Sequence, residues 1–590
     1  MSAGINPLVD FLATYGPGSS SSNMFDEFVR TASKDTGCQP LEIDQPLIGD
    51  IVDRLRSGEP RSFILTGTAG DGKTYTARKV FEDLTGDKKF WGNNDKIKHL
   101  RIGCRNVKFI KDLSELNEED KNRIFPEVVN ALRGIVGADL FVICVNDGHL
   151  LKFFRDRNDF EDGRELHNDI REMLRQESSE DIRGNFRLIN MSRQTHDTIV
   201  DQVLDQIVEH PSWDGCQGCA ALQDHTGCPI RINREIMRDR ATAALRTRIK
   251  AMVRIAAANG RHLSIRQVIL LSVNILLGDQ KPGGSGLLTC NKARKRMKEE
   301  DGYRLTNPFS NTFGTNLPVR QRAQYGVFSV LEDFGVGRET NNYFDEQLLS
   351  ERSGIPDHPV YGSGIFADVR RHYTRDPVVN AAEMRDALAE QRRLVFLLSN
   401  GGEGWPRRKD PWNLSVYKHG GSYNQSLDAL LKEEDLAPRV VESVVRGLNR
   451  VMTGLMTSTG SDLWITRPSG IFRGQEIPLL VETIPATPKK IGFGLKFYQR
   501  FRTILSMRVE FNYREENTHI AQLDMSPILF EFLIRVANGA LPASFGGECL
   551  QDIKKFQLQA GRKLEEFGSD LREIEPLSAT GELVSTEIRF

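Results

Sequence analysis

The chain has 590 residues, of which 39% are hydrophobic and 27% are charged, a balance typical of soluble proteins with several domains. Its formal net charge of −1 excludes a globally basic nucleic-acid binder, so any DNA contact must come from a local patch. The longest apolar run, residues 268–278, is too short to span a bilayer, and the first residues lack the pattern of a secretion signal. The thinly spread cysteines argue for a reducing compartment, so we expect a cytoplasmic protein without a membrane partner.

The first chemical signal is the stretch GTAGDGKT at residues 67–74. It fits the P-loop pattern G-x-x-x-x-G-K-T, with a short apolar run before it and a helical pattern after it. Glycines let backbone N–H groups converge on phosphate oxygens, and the helix N-terminus adds positive partial charge. We therefore predict that ATP binds here. The residues predicted to contact it are Gly67, Thr68, Ala69, Gly70, Asp71, Gly72, Lys73, Thr74 and Tyr75.

Within this site, Lys73 is expected to reach the β- and γ-phosphates, and the Thr74 hydroxyl is expected to bind Mg²⁺. An apolar-rich strand at residues 107–110 is followed closely by Asp112. A carboxylate at the end of such a strand can bind Mg²⁺ beside a P-loop, and Glu115 can activate the attacking water. The alternative is a surface turn in which the acids only cap the next helix.

A second strand is predicted at residues 140–145, where six apolar residues in a row indicate a buried parallel strand. It ends in Asn146 and Asp147. A rival interpretation makes Asp147, rather than Asp112, the carboxylate that binds Mg²⁺, and we prefer Asp112. A third apolar strand is predicted at residues 186–192.

The order of these strands over residues 48–290 resembles the organisation of the AAA+ ATPases. The resemblance implies that Asn146 contacts the γ-phosphate and orients water. It also implies a lid helix within residues 262–278 that carries Arg266 as a second sensor. The candidates for an arginine finger are Arg183, Arg175 and Arg187. Each arginine has an alternative as part of a solvated helix face. A finger that acts in trans would require a homo-oligomer.

Three cysteines form a separate cluster, Cys216-x-x-Cys219 followed after eight residues by Cys228. This spacing is typical of zinc ligands, and thiolates favour Zn²⁺ in a reducing cell. A closed site needs a fourth ligand, and the candidates, in order of sequence distance, are His225, His210 and Cys290. We predict a structural zinc site formed by the three cysteines and His225. A redox pair and three structural thiols remain as alternatives.

Basic residues concentrate at residues 292–298, and aromatic residues alternate with arginines at residues 495–514. The first run is either a solvated helix face or a DNA contact. The second suits stacking on single strands, but an amphipathic pair of strands explains it better. DNA is therefore kept as a candidate partner.

Taken in order, GTAGDGKT, KDLSEL, ICVNDGHLLKFF, C..C........CPIRINR, HLSIRQVILLS and VVRGLNRVMTG resemble the ATPase component of DNA phosphorothioation-dependent restriction systems, a bacterial anti-phage group. The resemblance implies ATP hydrolysis that powers or gates a restriction complex, with the other subunits of that complex as partners. Two departures are that Lys108 and Lys111 interrupt the acidic strand and that no effector domain is recognisable. The alternative function is a nucleotide-occupancy switch or assembly scaffold with slow hydrolysis.

We predict an α/β fold, with a P-loop NTPase (AAA+-like) parallel-sheet core, a helical lid and a mixed α/β C-terminal region. The predicted boundaries are an N-terminal helical segment at 1–47, the ATPase core at 48–205, a zinc knuckle at 206–235, the lid at 236–290, a basic helical region at 291–405 and a partner- or DNA-binding domain at 406–590.

Overall fold

The computed structural model divides the chain into two compact units. The first consists of Met1–Arg246, His262–Leu331 and His358–Ile365, and the second of Thr247–Arg261, Glu332–Asp357 and Phe366–Phe590. The residues that the structure describes are 5–18, 26–86, 91, 95–157, 161–176, 184–193, 196–219, 221, 227–240, 244–280, 286–350, 356–399, 409–472, 475–486, 494–500, 504–513, 516–566, 572–576 and 583–587. Among them, no helix combines the length and apolar character needed to cross a membrane.

Helices and strands alternate through the first half of the chain. The helices there are α1 (Pro7–Ala13), α2 (Asp26–Thr36), α3 (Pro46–Arg56), α4 (Lys73–Thr85), α5 (Glu118–Leu132), α6 (Asp147–Arg155), α7 (Glu161–Gln176), α8 (His196–Val208), α9 (Pro229–Arg238), α10 (Leu245–Ala258), α11 (Ile265–Leu277) and α12 (Cys290–Arg296). The strands are β1 (Ser62–Thr66), β2 (Ile97–Ile102), β3 (Arg105–Ile110), β4 (Leu140–Cys144) and β5 (Phe186–Asn190).

The second half begins with helices and ends with antiparallel sheets. Its helices are α13 (Pro308–Asn311), α14 (Val319–Arg322), α15 (Gly326–Glu332), α16 (Asn342–Leu349), α17 (Ser363–Arg375), α18 (Ala381–Leu398), α19 (Gly420–Leu431), α20 (Pro438–Thr453), α21 (Pro527–Ala537) and α22 (Gly547–Glu566). Its strands are β6 (Asp462–Phe472), β7 (Gln475–Pro485), β8 (Gly494–Arg500), β9 (Ile504–Tyr513), β10 (Glu516–Met525), β11 (Arg572–Pro576) and β12 (Leu583–Glu587).

The first unit is built on a five-stranded sheet with the order β2-β3-β4-β1-β5. Strands β3, β4, β1 and β5 are parallel, and β2 runs antiparallel to β3. Hydrophobic clusters cover both faces. Along β1, Phe63 and Leu65 pack into one cluster, while Ile64 packs into the other, because successive side chains of a strand point to opposite faces. Burial on both faces explains why the predicted parallel strands are continuous apolar runs.

The predicted α/β class is confirmed, and strands form within each of the three apolar segments that were predicted after the glycine-rich stretch. The sheet differs from the predicted parallel core at β2. A two-residue turn at Gly103 and Cys104 joins β2 to β3, so the two strands form a hairpin and must be antiparallel. Gly103 has a φ of 60°, the left-handed conformation that such a tight turn favours.

The strand order creates a crevice at the carboxyl end of β1. The chain builds β2, β3 and β4 on one side of β1 and then crosses to place β5 on the other side. Loops that leave β1, β4 and β5 at this edge therefore diverge around a common space. Such a point of reversed strand order is where α/β sheets bind ligands.

In the second unit, β10-β9-β8 form one sheet and β12-β11-β7-β6 form another, and every pairing in them is antiparallel. The described part of the aromatic and basic stretch at residues 495–514 lies in β8 and β9, with Leu495, Met507 and Val509 buried. The amphipathic strand pair is thus the correct interpretation of that stretch. Helix α20 buries Val444, Leu448 and their neighbours along one face, as its helical period predicts.

Gly447 lies on the buried face of α20, where that helix meets α21. A Cβ atom at this position would stand 2.3 Å from the backbone oxygen of Leu533, which cannot move without shifting α21. We expect Gly447→Ala to reduce the free energy of unfolding of this unit by about 1–3 kcal/mol, the usual range for overpacking. Chemical denaturation measures the change.

The matched control is Gly561→Ala in α22, where nothing lies within 4 Å of the added Cβ atom. There the higher helix propensity of alanine should raise stability by up to about 1 kcal/mol. Equal effects of the two substitutions would contradict the close helix packing at Gly447.

Candidate functional site

The glycine loop, residues 67–72, connects the carboxyl end of β1 to the N-terminus of α4. Gly67, Gly70 and Gly72 have φ values of 138°, 93° and 85°, a region that L-residues with side chains rarely adopt. Space is also restricted. A Cβ atom at Gly67 would lie 2.8 Å from an Asp71 oxygen, and one at Gly70 would lie 2.9 Å from the Arg266 Cβ atom. The loop therefore requires glycine for both conformation and packing.

Lys73 is the first residue of α4, and its side chain reaches back to the loop. The residue is only 8% exposed. Its ammonium group donates hydrogen bonds to the backbone oxygens of Gly67 and Thr68, at 2.9 and 2.7 Å, and to Oδ1 of Asn146, at 2.8 Å. Asn146 follows β4, so this contact joins the loop to the neighbouring strand. The structure thus brings together two of the residues that the sequence predicted.

Three carboxylates surround the Lys73 ammonium. Burial lowers the pKa of Lys73, and the negative charges of Asp71, Asp112 and Asp147 oppose that effect without cancelling it. Asp147 is the first residue of α6, and its Oδ2 accepts a hydrogen bond from Asn190 Nδ2 at 3.4 Å. Both rival candidates for the metal carboxylate are therefore at this crevice.

Asp112 also caps a short 3-10 helix, as the alternative interpretation predicted. Its Oδ1 accepts hydrogen bonds from the backbone nitrogen and the hydroxyl of Ser114, at 2.8 and 2.6 Å. The cap occupies only one of the two carboxylate oxygens. Thr74 lies nearby, because its hydroxyl donates to the Lys111 backbone oxygen at 3.3 Å. Glu115 is exposed at the end of the same turn.

Asp71 has a role that the sequence did not reveal. Its carboxylate is 2% exposed, and Oδ2 accepts from the Thr68 backbone nitrogen at 2.7 Å and from the Ser192 hydroxyl at 2.6 Å. Oδ1 lies 2.6 Å from His262 Nε2. Burial by itself raises the pKa of Asp71, but the hydrogen bonds from His262, Ser192 and Thr68 hold it below its usual value. Asp71 therefore connects the glycine loop to β5 and to the segment before α11.

The predicted lid helix is α11. Its N-terminus is stabilised by a capping box, in which Ser264 and Gln267 bond reciprocally. The Arg266 backbone nitrogen donates to the Gly70 backbone oxygen at 3.2 Å, and burial lowers the pKa of the Arg266 side chain. Arg266 thus lies beside the glycine loop, and its role as a second sensor stays a prediction. His262, the first residue of the segment predicted to hold the lid helix, is the partner of Asp71, a contact that the sequence analysis did not predict.

The three arginine-finger candidates lie in different parts of the chain. Arg175 is exposed on α7 and bonds to Glu172 one turn away, at 2.8 and 2.5 Å, which is the surface-pair alternative. Arg187 lies within β5, and Arg183 is outside the described residues. The basic run near α12 is also locally paired, since Arg296 binds Asp279 at 2.7 Å.

The predicted zinc cysteines line one cavity of about 530 Å³, together with Cys290. None of these four cysteines is in a disulfide bond. Burial raises the pKa of Cys228 and of Cys290. Burial acts to raise the pKa of Cys219, but the hydrogen bonds from Arg294 and from the Ala221 backbone, together with the positive charge of Arg294, lower that pKa overall.

Two histidines were candidates for the fourth zinc ligand. His225 is outside the described residues. His210 uses both ring nitrogens, because Nε2 donates to the Gln39 backbone oxygen at 2.9 Å and Nδ1 accepts from the Ser212 nitrogen at 3.2 Å. Across the described part of the chain, no three His, Cys, Asp or Glu side chains are placed to hold a single metal ion. The zinc site stays a prediction.

The Asp71 cluster predicts a specific pH dependence. A carboxylate with a lowered folded-state pKa contributes stability that is fully present above its unfolded value, here 3.8, and is lost as pH falls through the folded pKa. We expect Asp71→Asn to have a lower Tm than the wild type near neutral pH. The difference should narrow below about pH 4. Thermal melts of both proteins from neutral pH down to about pH 3 measure the difference in Tm. A difference that stays constant over this range would contradict a lowered pKa of Asp71.

Comparison of the chain with known proteins found no relative. No family model, no curated protein and no solved structure matches the chain. A functional assignment therefore depends on the geometry around Lys73.

Proposed function

We propose that the first unit binds ATP with Mg²⁺ in the crevice at the end of β1 and hydrolyses it to ADP and phosphate. The observation that carries the proposal is the buried Lys73 ammonium, which is bound by loop oxygens at the centre of a glycine loop. The present loop acceptors are neutral backbone oxygens. Phosphate oxygens can replace them, and their negative charge would strengthen the hydrogen bonds from the ammonium. The Walker-type spacing of the loop supports the same conclusion.

The start of α4 supports anion binding independently. The first N–H groups of a helix have no acceptor within that helix. Gly72, the residue that precedes α4, has no side chain with which to cap them. The helix N-terminus is therefore available to a phosphate, which the helix dipole also favours.

The position of Thr74 favours Asp112 over Asp147 as the carboxylate that binds Mg²⁺. The Thr74 hydroxyl lies at the carboxyl end of β3, against Lys111, the residue before Asp112. Asp147 instead contacts Asn190 on the β5 side. Mg²⁺ would neutralise charge on the phosphates. In this proposal, Thr74 and Asp112 hold that ion.

The remaining steps use side chains from β4 and the turn after β3. Asn146, which already contacts Lys73, orients water at the γ-phosphate. The water oxygen attacks the γ-phosphorus, the bond to the bridging oxygen breaks, and Glu115 takes the proton of the water. Arg266, or Arg183 from a neighbouring copy, stabilises the charge that develops. The resemblance in sequence motifs extends the proposal to a cytoplasmic restriction complex that this hydrolysis powers or gates.

A second candidate function is a nucleotide-occupancy switch with slow hydrolysis. The exposed side chain of Glu115 favours it, since a general base acts best from a fixed position within reach of the water. Multiple-turnover assays with and without duplex DNA separate the two functions. Rapid cycling supports the hydrolysing motor, whereas a single slow turnover per binding event supports the switch.

Replacing Lys73 tests the binding proposal directly. We expect Lys73→Ala to lower ATP turnover by at least about 100-fold, the usual effect of removing one preorganised charge partner. The matched control is Lys121→Ala, which removes a lysine paired with Glu118 on α5, away from the loop. Turnover and saturable binding of a fluorescent ATP analogue are measured for both. Unchanged turnover in Lys73→Ala would exclude the proposed site.

The choice of metal carboxylate has its own test. We expect Asp112→Asn to weaken Mg²⁺-dependent turnover more than Asp147→Asn does, because only Asp112 is proposed to bind the ion. Turnover is titrated with Mg²⁺ for both variants. A larger loss of turnover in Asp147→Asn would indicate that Asp147, at the end of β4, binds the ion instead.

A further inference from the structure

Four cysteines from three separate segments meet in the first unit. Cys216 ends a 3-10 helix, and a tight turn brings Cys219 back to it, with the Cys219 nitrogen 3.2 Å from the Cys216 backbone oxygen. Cys228 lies immediately before α9, and Cys290 is the first residue of α12. All four line the same cavity of about 530 Å³. The fold therefore brings Cys290, the candidate ligand most distant in sequence, to the predicted cysteine cluster.

The sulfur atoms are surrounded by N–H donors. Asn6, which is 2% exposed, donates from Nδ2 to the Cys216 sulfur at 3.2 Å and from its backbone nitrogen to the Cys290 sulfur at 3.4 Å. Arg294 donates to the Cys219 sulfur at 3.6 Å. Donors of this kind stabilise thiolates, which are the form of cysteine that binds metals. One buried residue thus directs two nitrogens at two sulfurs that belong to different segments.

The described side chains around this cavity do not form a compact site for a single ion. Structural zinc sites are compact and closed, with four ligands around one atom. Here the thiols lie around a cavity, and no three His, Cys, Asp or Glu side chains among the described residues are placed to hold one ion. A [4Fe–4S] cluster instead takes one thiolate at each of four separate iron atoms, so its ligands surround a wider core.

We propose that Cys216, Cys219, Cys228 and Cys290 bind a [4Fe–4S] cluster, with Cys290 as the fourth ligand in place of His225. The hydrogen bonds from Asn6 and Arg294 would stabilise the negative charge of the cluster sulfurs and raise the reduction potential. The proposal is independent of the proposed ATP hydrolysis, because none of these residues belongs to the glycine loop.

The first test is the metal content of the full-length protein purified without oxygen. We expect about four iron atoms and about four acid-labile sulfides per chain, together with the broad visible absorption of a cluster. Zinc without labile sulfide would overturn the proposal and would assign the thiols to a single ion. Protein without bound metal after anaerobic reconstitution with iron and sulfide would overturn it as well.

The second test concerns Cys290. We expect Cys290→Ser to lose most of the iron and sulfide, while the matched control Cys104→Ser, which changes an exposed thiol outside the cavity, retains both. Full iron content in Cys290→Ser would exclude that residue as a ligand.

If Cys290→Ser does not fold, the proposal can still be tested with a substitution that keeps all four thiols. Asn6→Asp preserves the oxygen that caps α1 through the Leu8 nitrogen but removes the amide donor to Cys216 and to the Ser212 backbone oxygen. We expect unchanged iron content and a more negative reduction potential, measured by a redox titration followed by electron paramagnetic resonance. An unchanged potential would contradict a cluster on Cys216.

Discussion

The buried ammonium of Lys73 is the interaction on which the candidate site depends. A charge removed from water costs several kcal/mol unless polar partners surround it. Here the partners are two backbone oxygens of the glycine loop and the side chain of Asn146. Satisfying this one charge therefore fixes the path of the loop and its relation to β4. In the proposed function, a phosphate group would offer the ammonium a better set of acceptors than these neutral oxygens do.

Asp71 places a second buried charge on the same loop, and it is held by residues from elsewhere in the unit. Its contact with His262, and the backbone hydrogen bond from Arg266 to Gly70, attach the loop to the N-terminus of α11. A rearrangement of the loop would have to break or move these bonds. The conformation of the loop and the position of α11 are therefore coupled through short polar contacts.

The cysteine cavity illustrates a different constraint. The CxxC turn and Cys228 are close in sequence, and their spacing alone indicates a ligand set. The fourth thiol, Cys290, comes from α12, beyond the whole of α11. Cys290 was the candidate ligand most distant in sequence, and the fold places it near Cys216, since Asn6 donates hydrogen bonds to both sulfur atoms. Proximity along the chain is a poor guide once helices have folded back on each other.

The sequence by itself determined the local features of this protein. Apolar runs placed β1, β4 and β5, the glycines at 67, 70 and 72 marked the loop, and the helical period identified α11 and α20. Each of these features depends on neighbouring residues and on the short-range geometry of the backbone. The tertiary structure decided which distant residues meet: Lys73 with Asn146, Asp71 with His262, and Cys290 with the other thiols of the cavity. These depend on the order in which strands and helices pack, and no local pattern records which distant residues that packing brings into contact.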